Sequence, residues 1–458
     1  MDGSSILEGY TALAAKDLKK AHGTFRGILD ETKDKKTRYD ALIGLAITYR
    51  ELGESKEAID TLKKAVESYP TPKEALYDLG NLYEEMEQHA LAIQNFDLAI
   101  AMDPNFTDAY INRGVAWFNM TKYDQGLRDF RNALENDPRS SRALSNAGIT
   151  YLEEKKYEKA IDFFDRSLEE DPENIHSLCG KGLALFYMDQ YDESIICFDA
   201  AISINPDFYL ANYYKGHILK KLDLIEEAEE AILEALDSRE EYALAWFELG
   251  EIYRSKGDDQ RALGAYDKAI KYQGDSFEEA LYQKGRMLNK KGDHRGAVAC
   301  YKRICKKNPY IPDVWLQMGI SLAKLEGQQN RSMAALKNAF LLDQSDPEIV
   351  YNLAVGHIRN GDKERALKAL TDGMERFQDP KNGVLLARLL YETGSYNEAI
   401  ITSEEVTSKD QNHPEAWLIM GRAYGSLGKS EEYKQCLRKY LHIRPDDTKV
   451  KREMERIS

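Results

Sequence analysis

A small residue returns every 34 positions. Gly80, Gly114, Gly148, Gly182, Gly216 and Gly250 are evenly spaced, and the register reaches back to Ala46. A copied unit constrains the fold more than any composition does. It replaces the usual expectation of about three compact domains for a chain of this length with an array in which neighbouring copies complete one another's core. Three residues after the small residue stands an aromatic, as at Tyr49, Tyr83, Trp117, Tyr151 and Tyr253. Twelve after it comes a second small residue (Ala58, Ala92, Ala160, Ala228, Ala262), and sixteen after it a bulky one (Phe96, Phe130, Phe164, Phe198, Tyr266). A third small residue follows at nineteen (Ala65, Ala99, Ala133, Ala201, Ala235, Ala269), and a proline closes the unit at Pro70, Pro104, Pro138, Pro172 and Pro206.

This pattern predicts a helical hairpin. Offsets of three and four place residues on one helical face, so each unit holds two amphipathic helices of about 12 to 14 residues. Small residues allow close helix approach, and bulky ones fill the space between neighbours. Asp103-Pro104, Asp137-Pro138 and Asp171-Pro172 stop one helix and start the next. Gly53, Gly257, Gly292, Gly361, Gly394 and Gly428, seven residues past the small position, supply the turn inside the hairpin.

The stretch Ala245-Trp246-Phe247-Glu248-Leu249-Gly250 through Tyr253, Ala262, Tyr266 and Ala269 resembles the tetratricopeptide repeat, with Trp315 and Trp417 at the same tryptophan position. The resemblance covers nearly the whole chain. It implies an all-α, right-handed α-solenoid of about thirteen hairpins, with position-eight residues Gly9, Ala46, Gly80, Gly114, Gly148, Gly182, Gly216, Gly250, Gly285, Gly319, Ala354, Ala387 and Gly421. We divide the chain into a degenerate first unit with a charged insertion (1–37), a regular array (38–275), a less regular array (276–445) and a C-terminal capping helix (446–458) in which Val450, Met454 and Ile457 share a face. Spacing slips to 35 before Gly285 and Ala354, and to 33 before Ala387. Either the stacking angle changes near 271–277, 326–331 and 377–382, or a loop absorbs the difference.

Chemistry-bearing motifs are sparse. The eight histidines are scattered, the five cysteines form no CxxC, and Cys197, Cys300 and Cys436 share one repeat offset, which points to packing. There is no phosphate-loop motif, no dinucleotide fingerprint and no nucleophile elbow. The sequence calls for no catalytic residue, no metal and no cofactor. With no apolar run of 18 residues and no signal-like N-terminus, the expected location is cytoplasmic, with no membrane partner. A net charge of −15 opposes nucleic-acid binding.

What remains is a surface. The resemblance places the first helix of each hairpin on the inner face, with positions two, five, six, nine, twelve and thirteen exposed. At positions nine, twelve and thirteen, units two to six carry Glu51, Glu84, Glu85 and Glu153 against Arg50. Units seven to thirteen carry Lys220, Lys221, Arg254, Arg286, Lys290, Lys324, Arg359, Arg388 and Arg422 against Glu251 and Glu392. These cations either bind a ligand or pair with the position-two acids Glu279, Asp313, Glu348 and Glu415. Tyr213, Tyr214, Phe247 and Tyr282 accompany them as aromatic contacts or as core. Asn81, Asn112 and Arg142 match part of the carboxylate clamp of chaperone-binding relatives, but Tyr77 and Asn146 replace two of its cations. The expected function is a non-enzymatic scaffold holding an extended peptide or helix of a protein partner, acidic where it meets the basic half. The alternative is a substrate-recruiting or regulatory subunit of an enzyme complex, such as a glycosyltransferase or chaperone system.

Overall fold

The computed structural model describes residues 2–456, and among them all regular structure is helical: 27 α-helices and one 3-10 turn, Gly274–Ser276. The chain divides into two compact units, Met1–Glu240 and Glu241–Ser458, each a helical solenoid built in the same way. In both, consecutive helices pair as hairpins, a helix A followed by a helix B, and each hairpin packs on the next of its unit.

The fifth hairpin, Ser141–Glu153 with Tyr157–Glu170, shows how the repeat folds. Helix A ends when Lys155 takes a left-handed conformation with φ +59°, so that its N–H reaches Leu152 O at 2.9 Å and the Lys156 N–H reaches Tyr151 O at 2.9 Å. This closes the helix on its own last carbonyls. Glycine occupies the same place at Gly53, Gly257, Gly292, Gly361, Gly394 and Gly428, as expected. Lys16, Glu87, Thr121, Asp189 and Asp223 adopt it as well, without glycine's freedom, at a cost on the order of 1–2 kcal/mol each. Helix B ends at the residue before proline, where Asp171 Oδ1 accepts the Glu173 N–H at 3.3 Å and Asp103 Oδ1 the Asn105 N–H at 3.1 Å.

The core explains the 34-residue register. A Cβ on Gly80 would lie 2.4 Å from Phe96 Cε1, and one on Gly148 or Gly250 would lie 2.6 Å from Phe164 or Tyr266 Cε1. The bulky residue sixteen places on therefore lies flat on bare helix A backbone. Phe96, Phe164, Phe198 and Tyr266 are all 0% exposed there. Where position eight is alanine the partner shrinks: Ala46 shares a buried cluster with Leu62, and Ala354 with Leu370. The first hairpin, Asp2–Ala14 with Leu18–Glu31, keeps this arrangement, since Phe25 is fully buried against both Gly9 and Gly44. The charged insertion mainly lengthens the next helix A, Lys35–Glu51, to 17 residues, and Asp34 caps it by accepting the Thr37 N–H at 2.8 Å.

All three spacing slips are taken up in turns. One extra residue lies in the Gly274–Ser276 segment, another in the turn between Ala323 and Gln329, and the 33-residue step falls where Gln378 (φ +48°) leads directly into Asp379-Pro380. Flanking helices remain packed at each. The terminal helix, Thr448–Glu455, buries Val450 and is fixed by Tyr433 OH donating to Glu453 Oε1 at 2.5 Å. Ile457 lies outside the described residues.

A ladder of ion pairs, not anticipated from the sequence, joins adjacent hairpins. The position-seven cation meets the acid seventeen places past position eight of the preceding unit: Arg113–Asp97 at 2.5 Å, Lys181–Asp165 at 2.6 Å, Lys215–Asp199 at 2.7 Å, and Lys284–Asp267. Arg113 also grips Asp129, which is 3% exposed, through Nε at 2.8 Å and Nη2 at 2.6 Å.

Two outcomes follow from this packing. Gly148→Leu forces a side chain into the Phe164 ring and should speed hydrogen exchange first in residues 141–170, while the ends of the chain stay protected; a uniform change along the chain would contradict nearest-neighbour coupling. Arg113→Met strands a buried carboxylate and should cost roughly 3–5 kcal/mol in urea unfolding. Adding Asp129→Leu should recover most of that loss, and simple additivity of the two changes would refute the pairing.

Candidate functional site: the helix A face

Helix A positions nine, twelve and thirteen carry the nine cations of the basic row, and the structure sorts these cations by availability. Arg254 is held by Glu251 at 2.5 Å, Arg388 by Glu415 at 3.1 Å, and Arg422 by Glu453 of the terminal helix at 3.1 Å. Lys221 lies over the Phe186 ring at 5.0 Å and Arg286 over Tyr282 at 5.8 Å. Lys220 is half-buried and has an interaction of its own. Lys290, Lys324 and Arg359 are exposed and, among the described residues, have no ion pair. Among the described residues, Glu415 is the one position-two acid that takes a cation of this row, while Asp313 accepts from the Tyr282 hydroxyl instead.

The aromatic candidates divide likewise. Tyr213 is 8% exposed and packs edge-on against Tyr214 at 5.0 Å, so it belongs to the core rather than to a ligand-facing surface. Phe247 is wedged between Tyr266 and Phe277, with ring centroids at 5.9 and 5.1 Å. Tyr214 is stacked on Phe198, and Tyr282 leans on Tyr301. Both remain half-buried.

The three clamp candidates do come together, but they satisfy one another. Asn112 Nδ2 donates to Asn81 Oδ1 at 2.6 Å and to Tyr77 OH at 2.9 Å, while Arg142 donates to Asn112 Oδ1 and to Asp108 Oδ1, the latter at 3.0 Å. The donors that would grip an incoming carboxylate are engaged internally, and Asp108 neutralises the one cation.

Sequence reasoning passed over two features. Asp78, at position six of Lys73–Glu85, sits in an apolar cleft with Ala46, Ile47, Leu62 and Leu82, close to Arg50. Burial pushes its pKa up to about 6, with Arg50 opposing and Glu74 adding to the rise. The other is a cavity of about 280 Å³ between the tenth and eleventh hairpins, lined by Lys324 and Arg359 among others. Its sequence trace is the coincidence of an extra turn residue with Gly356 at position ten. No cluster of His, Cys, Asp or Glu suited to holding a metal occurs among the described residues, and no helix among them is long and apolar enough to cross a membrane. Cys197, Cys300 and Cys436 are buried, and burial lifts the Cys436 thiol to about 11, as packing residues require.

The hairpins define a helical-repeat protein. The chain belongs to the tetratricopeptide repeat family: profiles of that repeat match residues 40–72, 73–106, 118–175, 175–208, 215–278, 279–309 and 414–447, more than half of the chain. Repeats of this family are protein–protein interaction modules, and the chain is such a scaffold. The general transcriptional corepressor ssn6 of Schizosaccharomyces pombe is similar at 24% identity over 144 residues, 31% of this chain and 13% of that protein. The chain thus spans only a small part of that relative's length. A tetratricopeptide repeat protein from Parabacteroides merdae is similar at 21% identity over 53% of this chain and 97% of its own, with a TM-score of 0.45. The APC/C hetero-tetramer Cut9-Hcn1 matches at 16% identity over 98% of this chain and 95% of that one, with a TM-score of 0.42.

Asp78 gives this face a pH signature. Its folded pKa, about 6, lies above the ordinary aspartate value of 3.8, so the native state holds the proton more tightly and stability declines as pH rises through that interval. Asp78→Asn should abolish this decline and stabilise the protein at pH 7 by about 1–2 kcal/mol, allowing for partial solvent screening. Thermal melts of the two proteins between pH 4 and 7 would show it, and parallel pH profiles would exclude it.

Proposed function

We propose that this chain is a non-catalytic scaffold that receives an acidic segment of a protein partner, as an extended peptide or a helix, along the helix A face of its C-terminal half. The reading is carried by one observation: in a chain of net charge −15, this face gathers cations, and Lys290, Lys324 and Arg359 remain without an ion pair among the described residues. Such cations raise association rates and select charge sign, while half-buried rings such as Tyr282 supply contact area. The internally paired Arg254, Arg388 and Arg422 contribute less, because a ligand must first displace Glu251, Glu415 or Glu453.

The test is charge reversal. Arg286→Glu, Lys290→Glu and Lys324→Glu together should weaken a fluorescein-labelled Asp/Glu-rich peptide roughly ten- to a hundredfold, since exposed pairs are worth about 0–1 kcal/mol each and three act together. Reversing Lys302, Lys306 and Lys307, exposed on the helix B segment His294–Lys307, should change affinity little. Equal losses from both sets would mean that net charge governs binding. Salt-sensitive binding of single-stranded RNA that matched the peptide would redirect the proposal to nucleic acid.

A further inference from the structure

Two cavities open on the basic part of the helix A face, and they differ in the state of their cations. The larger, about 850 Å³ at the C-terminal end, is bordered by Arg388 and Arg422, which Glu415 and Glu453 already hold, and by Asp446 and Asp447. The smaller, about 280 Å³, lies between Pro312–Ala323, Gln329–Leu342 and Pro347–Arg359. Its rim carries Lys324 and Arg359 with no ion pair among the described residues, and Met333, Leu336 and Val355 help to line it.

Two volumes are missing at this cavity. Position ten is Leu82, Ile218, Ile252, Met287 or Leu389 in five hairpins and Ala, Ser or Thr in the others, but Gly356 in the eleventh, where no side chain stands at all. The residue lying on position eight is Phe or Tyr in most hairpins, whereas on Gly319 it is Leu336, whose Cδ2 is 2.8 Å from where a Cβ would stand. The extra residue in the turn after Ala323 shifts helix B by one place relative to helix A, so that Leu336 rather than Ala335 takes this position. A Cβ on Gly356 would meet side-chain ends alone, Met333 Cε at 2.8 Å and Leu336 Cδ1 at 3.3 Å, so the space is bounded by side chains of the recess and not by rigid backbone.

An apolar recess of this size under two free cations fits one apolar side chain with a carboxylate close by. We infer that the recess between the tenth and eleventh hairpins is an anchor pocket for a leucine-sized side chain in an acidic peptide, with Lys324 and Arg359 engaging the flanking carboxylates. The inference rests on the acidic-ligand reading above and adds a sequence requirement to it: acidity brings the segment to the face, and the apolar residue sets its register. The apolar part of the lining, Ile320, Met333, Leu336 and Val355, favours an aliphatic group over a polar one, because burying apolar surface against it is favourable.

The experiment uses the full chain and a short labelled Glu/Gly peptide with one central leucine, beside its twin with alanine. The leucine peptide should bind at least about tenfold more tightly, the worth of burying about two of its three additional carbons. Gly356→Leu fills the recess and should erase that preference while leaving the alanine peptide unaffected. Met333→Ala widens it and should shift preference from leucine to phenylalanine, a change that a structural defect would not produce and that carries the test if Gly356→Leu does not fold. Lys324→Glu with Arg359→Glu should weaken both peptides. Equal binding of leucine and alanine peptides by the native protein, or a leucine preference unaltered by both pocket variants, would overturn the anchor pocket and leave the acidic-ligand reading standing. Failure of both acidic peptides to bind at all would overturn the two together.

Discussion

The contact between an aromatic ring and bare helix backbone sets everything else in this protein. Phe96 on Gly80, Phe164 on Gly148 and Tyr266 on Gly250 bring two helices closer than any β-carbon would permit. Each such ring is fully buried, worth about 1.5–3 kcal/mol in apolar transfer alone. Because both partners lie in one hairpin, sixteen residues apart, the contact also fixes which face of helix A turns inward and which is left for charge. The face proposed to bind a partner is the remainder after this packing is satisfied.

That remainder is less uniform than a count of charges suggests. Nine cations share equivalent repeat positions, yet Arg254 neutralises its neighbour Glu251, Arg422 fastens the terminal helix through Glu453, and Lys290 is met by no acid among the described residues. Equivalent positions in a repeat share backbone geometry; they do not share surroundings, since the acid that quenches a cation comes from its own helix (Glu251), from the next unit (Glu415) or from outside the repeat (Glu453). A surface becomes a site where such quenching fails and a recess lies beside it.

The fold was almost wholly legible in the sequence because its determinants are local and copied. The hairpin, the proline stop and the terminal cap follow from offsets within or just beyond a single unit, and Val450 is buried as its spacing requires. The left-handed turns at Glu87, Thr121 and Lys155 were not legible, because nothing in those residue types signals φ > 0, and at Asp189 and Asp223 the residue type signals it only weakly. They inherit the conformation from helices already placed by the ring contacts. The inter-hairpin ladder, Lys181–Asp165 and its equivalents, was readable in principle, as a cation just before one small residue and an acid seventeen after the last. For the candidate site, residue identity located the face but not its openings. Tyr213 looked like Tyr282 and proved to be core, and the recess beside Gly356 is a pattern of absent atoms that no single residue announces.

The two kinds of contact also cut the chain differently. The ring and its glycine travel together in any segment that begins before helix A and ends after helix B, so a duplicated or deleted unit carries a complete lock with it. The ion-pair rungs are divided by the same cut, an acid left on one side and a cation on the other, and they re-form only if the new neighbour presents the complementary charge. Growth of such an array is thus permitted by its core and edited by its ladder. Hairpins missing a rung, such as the fifth with Ala147 at position seven, mark the joints at which the array tolerates the widest choice of neighbour.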